Sequence, residues 1–125
     1  MTLKLGVLSD LPSAIADAAY VAGEEAAWDR SHALLVVDYC ADRDLAVSGI
    51  EIWLATSPGP TIPTPYIYGW EASRRVPGET WATFVARSNL EARHFIATFE
   101  WDSADTTHFG SVPYFNLQIV SAVVD

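Results

Sequence analysis

The side chains that could act as catalytic groups are few and widely separated. Cys40 could serve as a nucleophile with His32, His94 or His108 as its base. The apolar neighbours of Cys40 predict a buried thiol, in which the reactive thiolate is disfavoured. The histidines have no spacing typical of zinc ligands, and the sequence has no glycine-rich phosphate loop and no calcium loop. We therefore expect a protein that is not an enzyme and has no metal and no cofactor.

A pair of carboxylates is the alternative for acid–base chemistry. Glu51 and Glu71 lie in two segments that are expected to pair as a hairpin, so the two side chains could face one another across it. Solvated strand faces often carry glutamate without any catalytic role. An enzyme that uses Glu51 and Glu71 is therefore kept only as a lesser alternative.

The charge balance of the chain limits its partners. The sequence has 16 acidic and 7 basic residues, which gives a net charge of −9. DNA and RNA binding need clustered basic residues, whereas the closest basic pair here is Arg74-Arg75. Anionic membrane surfaces are disfavoured for the same reason, and no apolar run is long enough to span a bilayer. A basic protein partner is favoured, although an acidic surface can also serve solubility alone.

The single cysteine, Cys40, excludes an internal disulfide, which agrees with a reducing compartment. The N-terminal residues have no pattern of a signal peptide. We therefore expect a cytoplasmic protein whose residues 1–125 form a single domain.

The elements that must position these residues centre on one helix, predicted over residues 79–99. Asn89 and Arg87 fall with the polar residues mostly on its other faces. Four aromatic rings on one face need a broad apolar partner, which predicts a sheet beneath the helix. The apolar stripe consists of Trp81, Phe84, Val85, Ser88, Ala92, Phe95, Ile96 and Phe99.

The remaining segments predict an α+β fold. One helix is expected from Ser9-Asp10 to Gly23 and a second over residues 24–43, with a strand at residues 33–40 as the alternative. Residues 2–8 form either an edge strand or a lead-in. Strands are predicted at residues 45–55, 66–71 and 113–124, with 66–71 pairing back on 46–54. We expect a three- or four-stranded, mainly antiparallel sheet with the long helix packed on it and the N-terminal helices alongside.

Aromatic and acidic side chains on this hairpin are candidates for binding a partner. Alternation puts Trp53 on the same side as Glu51, and Tyr66, Tyr68 and Trp70 on one common side. The same rings could instead cover the aromatic helix. The proline-rich residues 56–65 are expected to be a stiff connector, with a recognition loop as the alternative.

An acidic loop follows the long helix. Glu100, Asp102 and Asp105 lie near its C-terminus, where the helix dipole disfavours negative charge. An ordinary solvated loop explains these residues by itself, and the alternative is that a partner's charge compensates them, as this conflict would lead one to expect.

Three segments of the sequence together resemble segments of one known protein family. Residues 24–30 with Ala33-Leu34 resemble the helical segment before the family's first strand. Residues 46–53 resemble its alanine–valine–x–glycine–glycine–aspartate–valine–tyrosine strand, with Ile50, Glu51 and Trp53 replacing the second glycine, the aspartate and the tyrosine. Trp70 and the helix residues from Glu79 to Ile96 resemble its tryptophan–glutamate–serine helix. The likeness covers about residues 24–120, and the family that the chain resembles is the immunity proteins of bacterial polymorphic toxin systems, in the group numbered forty.

The resemblance implies an inhibitor that binds one cognate toxin and blocks it, and it marks Gly49, Glu51, Trp53 and Trp70 as important. The candidate binding set is Glu51, Trp53, Trp70, Glu71, Glu100, Asp102 and Asp105. A basic nuclease would suit the acidic charge. Replacing Glu51 with lysine should then slow association more than it lowers stability. The rival interpretation is another acidic inhibitor, such as a phage-type protein that mimics nucleic acid.

Overall fold

The computed structural model describes residues 2–4, 11–22, 25–54, 68–101 and 112–122, with only the backbone described for residues 2–4. Residues 56–65, Tyr66, Asp102, Asp105 and His108 lie outside this range. In chain order the elements are β1 (Thr2–Lys4), α1 (Ser13–Ala16), β2 (Tyr20–Ala22), β3 (Glu25–Trp28), α2 (Arg30–Asp42), β4 (Ala46–Leu54), β5 (Gly69–Glu71), α3 (Trp81–Thr98) and β6 (Pro113–Ala122).

The described strands form one antiparallel sheet in the order β2-β3-β6-β4-β5, and β1 also pairs with β6. The two long central strands, β4 and β6, place Ile52 opposite Phe115 and Ile50 opposite Leu117. These side chains are buried on the face that α2 and α3 cover, here called the inner face. The predicted α+β class is confirmed, with more strands than the three or four expected.

The helix α3 covers the part of the inner face that β4 forms. Its predicted stripe is confirmed, since Phe84, Val85, Ser88, Ala92 and Ile96 are all buried. The hydroxyl oxygen of Thr80 accepts a hydrogen bond from the backbone N–H of Thr83 at 3.1 Å, which caps the helix start. The helix therefore begins at Trp81, two residues after the predicted start.

The prediction of two successive N-terminal helices is wrong in part. Helix α1 covers only Ser13–Ala16, and β2 and β3 form a hairpin where helix was predicted. Trp28 explains the difference, because this fully buried residue pairs with Phe115 and its indole N–H donates to the Ile15 carbonyl at 2.9 Å. Tertiary pairing thus overrides the helix propensity of the alanines and glutamates.

Helix α2 is the part of the second predicted helix that does form. Asp29 caps it by accepting a hydrogen bond from the His32 backbone N–H at 2.9 Å. The alternative of a strand at residues 33–40 is wrong, because these residues are helical. Ala33, Val36, Val37 and Cys40 face the core, so this helix is buried along one side.

Candidate functional site

The two candidate carboxylates lie on the outer face of the sheet, opposite to the helices. The predicted hairpin pairing is confirmed, with Gly49 opposite Glu71 and Glu51 opposite Gly69. Residues that are directly opposite share a face, so Glu51 and Glu71 share one face but are offset diagonally. The sheet therefore brings the two carboxylates to one surface without placing them face to face.

An open cleft of about 310 Å³ lies beside these carboxylates. Glu51, Glu71 and Gln118 contribute side chains to it, and Gly49 and Gly69 contribute backbone. A β-carbon at Gly49 would lie 3.2 Å from the Gln118 Oε1 atom, and one at Gly69 would lie 2.9 Å from the Ile50 carbonyl oxygen. Glycine at position 69 thus permits the close approach of β5 to the β4 backbone, while Gly49 leaves room for the Gln118 side chain.

Trp53 orients Glu51. The indole Nε1–H of Trp53 donates to Glu51 Oε1 at 3.0 Å. This bond agrees with the prediction that the two residues share one side of the strand. Trp53 itself is only 5% exposed, so it offers little surface to a partner. In this structure Trp53 acts as a positioning residue for the carboxylate rather than as an exposed ring.

Trp70 lies on the other side of β5 from Glu71 and is half-buried. It borders an apolar groove of about 590 Å³ between β5 and α3. The aromatic neighbour Tyr68 contacts Phe99 and Trp101 edge to face, so it covers the aromatic helix as the alternative prediction proposed. The other residues of the groove are Leu90, Glu91, His94, Phe95 and Thr98.

Hydrogen bonds from Arg87 connect the segment between β5 and α3 to the helix. The guanidinium of Arg87 donates to the carboxylate of Glu79 at 3.0 Å and to the backbone carbonyls of Ser73 and Arg74. The hydrogen bonds from Arg87 hold the pKa of Glu79 below its usual value. The segment between β5 and α3 is thereby tied to the helix, which positions Trp70 and Glu71.

Glu100 is exposed just beyond α3, while its predicted companions Asp102 and Asp105 lie outside the described residues. The positive charge at this helix end comes from within the chain. Arg30 donates to the carbonyl oxygens of Ile96 and Phe99 at 2.6 and 2.9 Å. Sequence reasoning did not find this contact, because 66 residues separate Arg30 from Ile96 and no local pattern links them.

The catalytic candidates that the structure describes, Cys40, His32 and His94, lie in different surroundings. Cys40 is fully buried, and burial raises the pKa of its thiol to about 12. The imidazole Nδ1 of His32 lies 2.9 Å from the Asp29 carboxylate at the start of α2, whereas His94 is exposed on α3. Within the part of the chain that the structure describes, no three metal-ligating side chains form a group.

Comparison with known proteins adds no relative. No family model, no curated protein and no solved structure matches the chain. No helix among the described residues is long and apolar enough to cross a membrane.

The sequence did not place three residues in this region: Gln118 on the outer face, and Leu90 and His94 in the groove, although His94 was considered as a catalytic base. Gln118 could have been found from the alternation of β6, where it is the exposed residue between buried Leu117 and Ile119. Leu90 and His94 had no such signal, because they lie off the apolar stripe of α3.

Proposed function

We propose that this chain is an immunity protein, which neutralises a cognate bacterial toxin in the cytoplasm by binding it directly. The observation that carries the proposal is the pair of carboxylates, Glu51 and Glu71, on one face of an open cleft in a chain of net charge −9. An acidic face of this kind attracts a basic protein and disfavours nucleic acid.

The resemblance to the immunity proteins supports the same surface. Its four marked residues, Gly49, Glu51, Trp53 and Trp70, lie on the adjacent strands β4 and β5. They surround the cleft or hold the side chains that line it. The residues that the resemblance marks, although they come from separate segments of the sequence, therefore lie in one part of the sheet.

Each residue has a distinct role in this proposal. Glu51 and Glu71 supply negative charge, Trp53 orients Glu51, and Trp70 supplies apolar contact area. Glu100, with Asp102 and Asp105, adds negative charge after α3. The partner that best fits these groups is a basic toxin, such as a nuclease whose own site must attract phosphates.

The proposal is tested by co-expressing the chain with the polypeptide encoded immediately upstream. We expect the upstream polypeptide to be toxic alone, survival to be restored by this chain, and the two to co-purify. The complex should weaken as salt is raised, because screening reduces the attraction between opposite charges. A harmless neighbour, or toxicity that this chain does not relieve, would refute the proposal.

A further inference from the structure

Among the strands that the structure describes, β5 forms an edge of the sheet. It ends the strand order, and no other strand that the structure describes pairs with its far side. The Ile52 N–H donates to the Tyr68 carbonyl at 3.1 Å, and the Ala72 N–H donates to the Ser48 carbonyl at 3.0 Å. Backbone groups alternate in direction along an antiparallel strand, so those of Gly69 and Glu71 point away from β4. They are placed to bond another strand.

The surfaces on the two sides of this edge differ in chemistry. The outer side carries the acidic cleft with Glu51 and Glu71. The inner side carries the apolar groove, whose most exposed apolar residue is Leu90 at 70%. An exposed leucine beside Trp70 and Phe95 forms an apolar patch of the kind that interaction sites use. Glu91 adds a further carboxylate at the rim of the groove.

We propose that the edge of β5 binds an extended basic segment of a partner protein by strand addition. Because side chains alternate along a strand, every second residue of the added strand faces the acidic cleft and the others face the groove. The segment should therefore alternate basic and apolar residues. This inference rests on the proposed function in taking the partner to be basic, and it adds the surface and the binding mode.

Charge decides between a basic partner and a second copy of this chain. Antiparallel pairing of two β5 edges would bring the acidic faces of two chains together, each with a net charge of −9. Like charges across paired strands are destabilising. A basic segment meets the opposite situation, because its cations would lie next to Glu71 and on the same face as Glu51 of the adjoining strand β4.

The probes for the test are two synthetic peptides made of lysine and leucine. One alternates the two residues, and the other has the same composition with the lysines and leucines in separate blocks. We expect the alternating peptide to bind at least about tenfold more tightly, because only it can place both kinds of side chain correctly. Equal binding of the two peptides would show simple charge attraction and would overturn the proposal, as would failure of both to bind.

Variants of the protein locate the binding site. Leu90→Ser should weaken binding of the alternating peptide about tenfold, through the loss of apolar contact. Leu35→Ser, at another exposed leucine that lies on α2, should leave it unchanged. Glu71→Pro should weaken binding about fivefold more than Glu71→Gln, because proline also removes the outward N–H. An edge position whose N–H points outward tolerates proline.

Amide hydrogen exchange of the intact wild-type chain gives the decisive readout. The bound alternating peptide should slow exchange at Gly69 and Glu71, whose N–H groups point away from β4. The amide of Trp70 points to β4 and should change little. Unchanged exchange at Gly69 and Glu71 with peptide bound, or a homodimer that forms through this edge, would overturn strand addition. Neither outcome affects rescue from the upstream polypeptide, so the two proposals can fail separately.

Discussion

Arg30 links two elements through one side chain. It is the first residue of α2, and its guanidinium donates to two carbonyl oxygens at the end of α3, where the helix backbone itself offers no donors. It also lies 5.7 Å from the centre of the Phe115 ring. A planar, forked cation suits two separate carbonyls better than the point charge of a lysine does.

We expect Arg30→Ala to lower the free energy of unfolding by about 2–3 kcal/mol, because part-buried carbonyls lose a charged donor. Arg30→Lys should recover only part of this loss. The control is Arg93→Ala, which removes an exposed ion pair with Asp38 and should cost about 0.5 kcal/mol. Urea denaturation measures all three variants, and equal losses for Arg30→Ala and Arg93→Ala would contradict the assignment.

The buried thiol of Cys40 makes the free energy of unfolding depend on pH in the alkaline range. The pKa of its thiol is 9.0 unperturbed and is raised to about 12 by burial. Above pH 9 the unfolded chain loses the thiol proton while the folded chain retains it. Stability is therefore full below this pH and falls as pH rises towards 12.

The measurable quantity is the difference in unfolding free energy between the wild type and Cys40→Ala, which lacks the titrating group. We expect this difference to shift against the wild type by up to about 1.4 kcal/mol per pH unit above 9. Other groups titrate in both proteins and cancel. A difference that stays constant with pH would mean that Cys40 ionises freely in the folded state.

At the scale of elements, an irregularity in β4 is held by α3. The register of β4 against β6 shifts between Val47 and Gly49, as in a β-bulge. Beyond the end of β5, side chains of α3 bond this part of β4. Asn89 accepts from the Val47 N–H at 2.8 Å and donates to the Leu45 carbonyl at 2.9 Å, while the Ser88 hydroxyl donates to the Val47 carbonyl. The side chains of Asn89 and Ser88 thus supply hydrogen bonds to the part of β4 that β5 does not reach.

Asn89→Leu should therefore lower the unfolding free energy by about 3 kcal/mol, because a buried N–H and a carbonyl lose their partners. The adjacent Leu90→Asn changes an exposed position and should shift it by less than about 0.5 kcal/mol. Thermal or urea unfolding compares the two variants. Similar effects at both positions would mean that water replaces the Asn89 bonds.

The elements that local pattern governs could be predicted from the sequence, and those that distant contacts govern could not. The helical period of apolar residues predicted α3, and alternation with β-branched residues predicted β4, β6 and the strand β5 that pairs with β4. The β2–β3 hairpin was missed because its alanines and glutamates favour helix, while the pairing of Trp28 with Phe115 spans most of the chain.

The candidate site shows the same division. Alternation placed Glu51 and Trp53 together, and the hydrogen bond between them is present. Asn89 was predicted to lie with the polar residues on the other faces of its helix. It is instead buried, and its side chain bonds backbone groups that are 42 and 44 residues away in the chain. Polar side chains that bond distant backbone leave no periodic signal in the sequence.

At the scale of the whole molecule, the proposed function depends on where the negative charge lies as well as on its total. Glu71 is exposed on β5 at one edge of the sheet, whereas Asp17 is exposed just before β2, the strand at the opposite edge.

Glu51 is less suitable for a charge-reversal variant than the sequence suggested. A lysine there would leave the buried Trp53 indole N–H without its acceptor and would confuse stability with association.

Glu71→Lys and Asp17→Lys change the net charge equally and so form a matched pair. If the β5 end guides the toxin, Glu71→Lys should slow association with the co-purified toxin about fivefold at low salt, and Asp17→Lys should slow it much less. The difference should shrink at high salt, because screening acts on long-range attraction. Stopped-flow association rates at two salt concentrations measure this effect. Equal slowing by both variants would mean that total charge, and not the carboxylates at β5, sets the rate of capture.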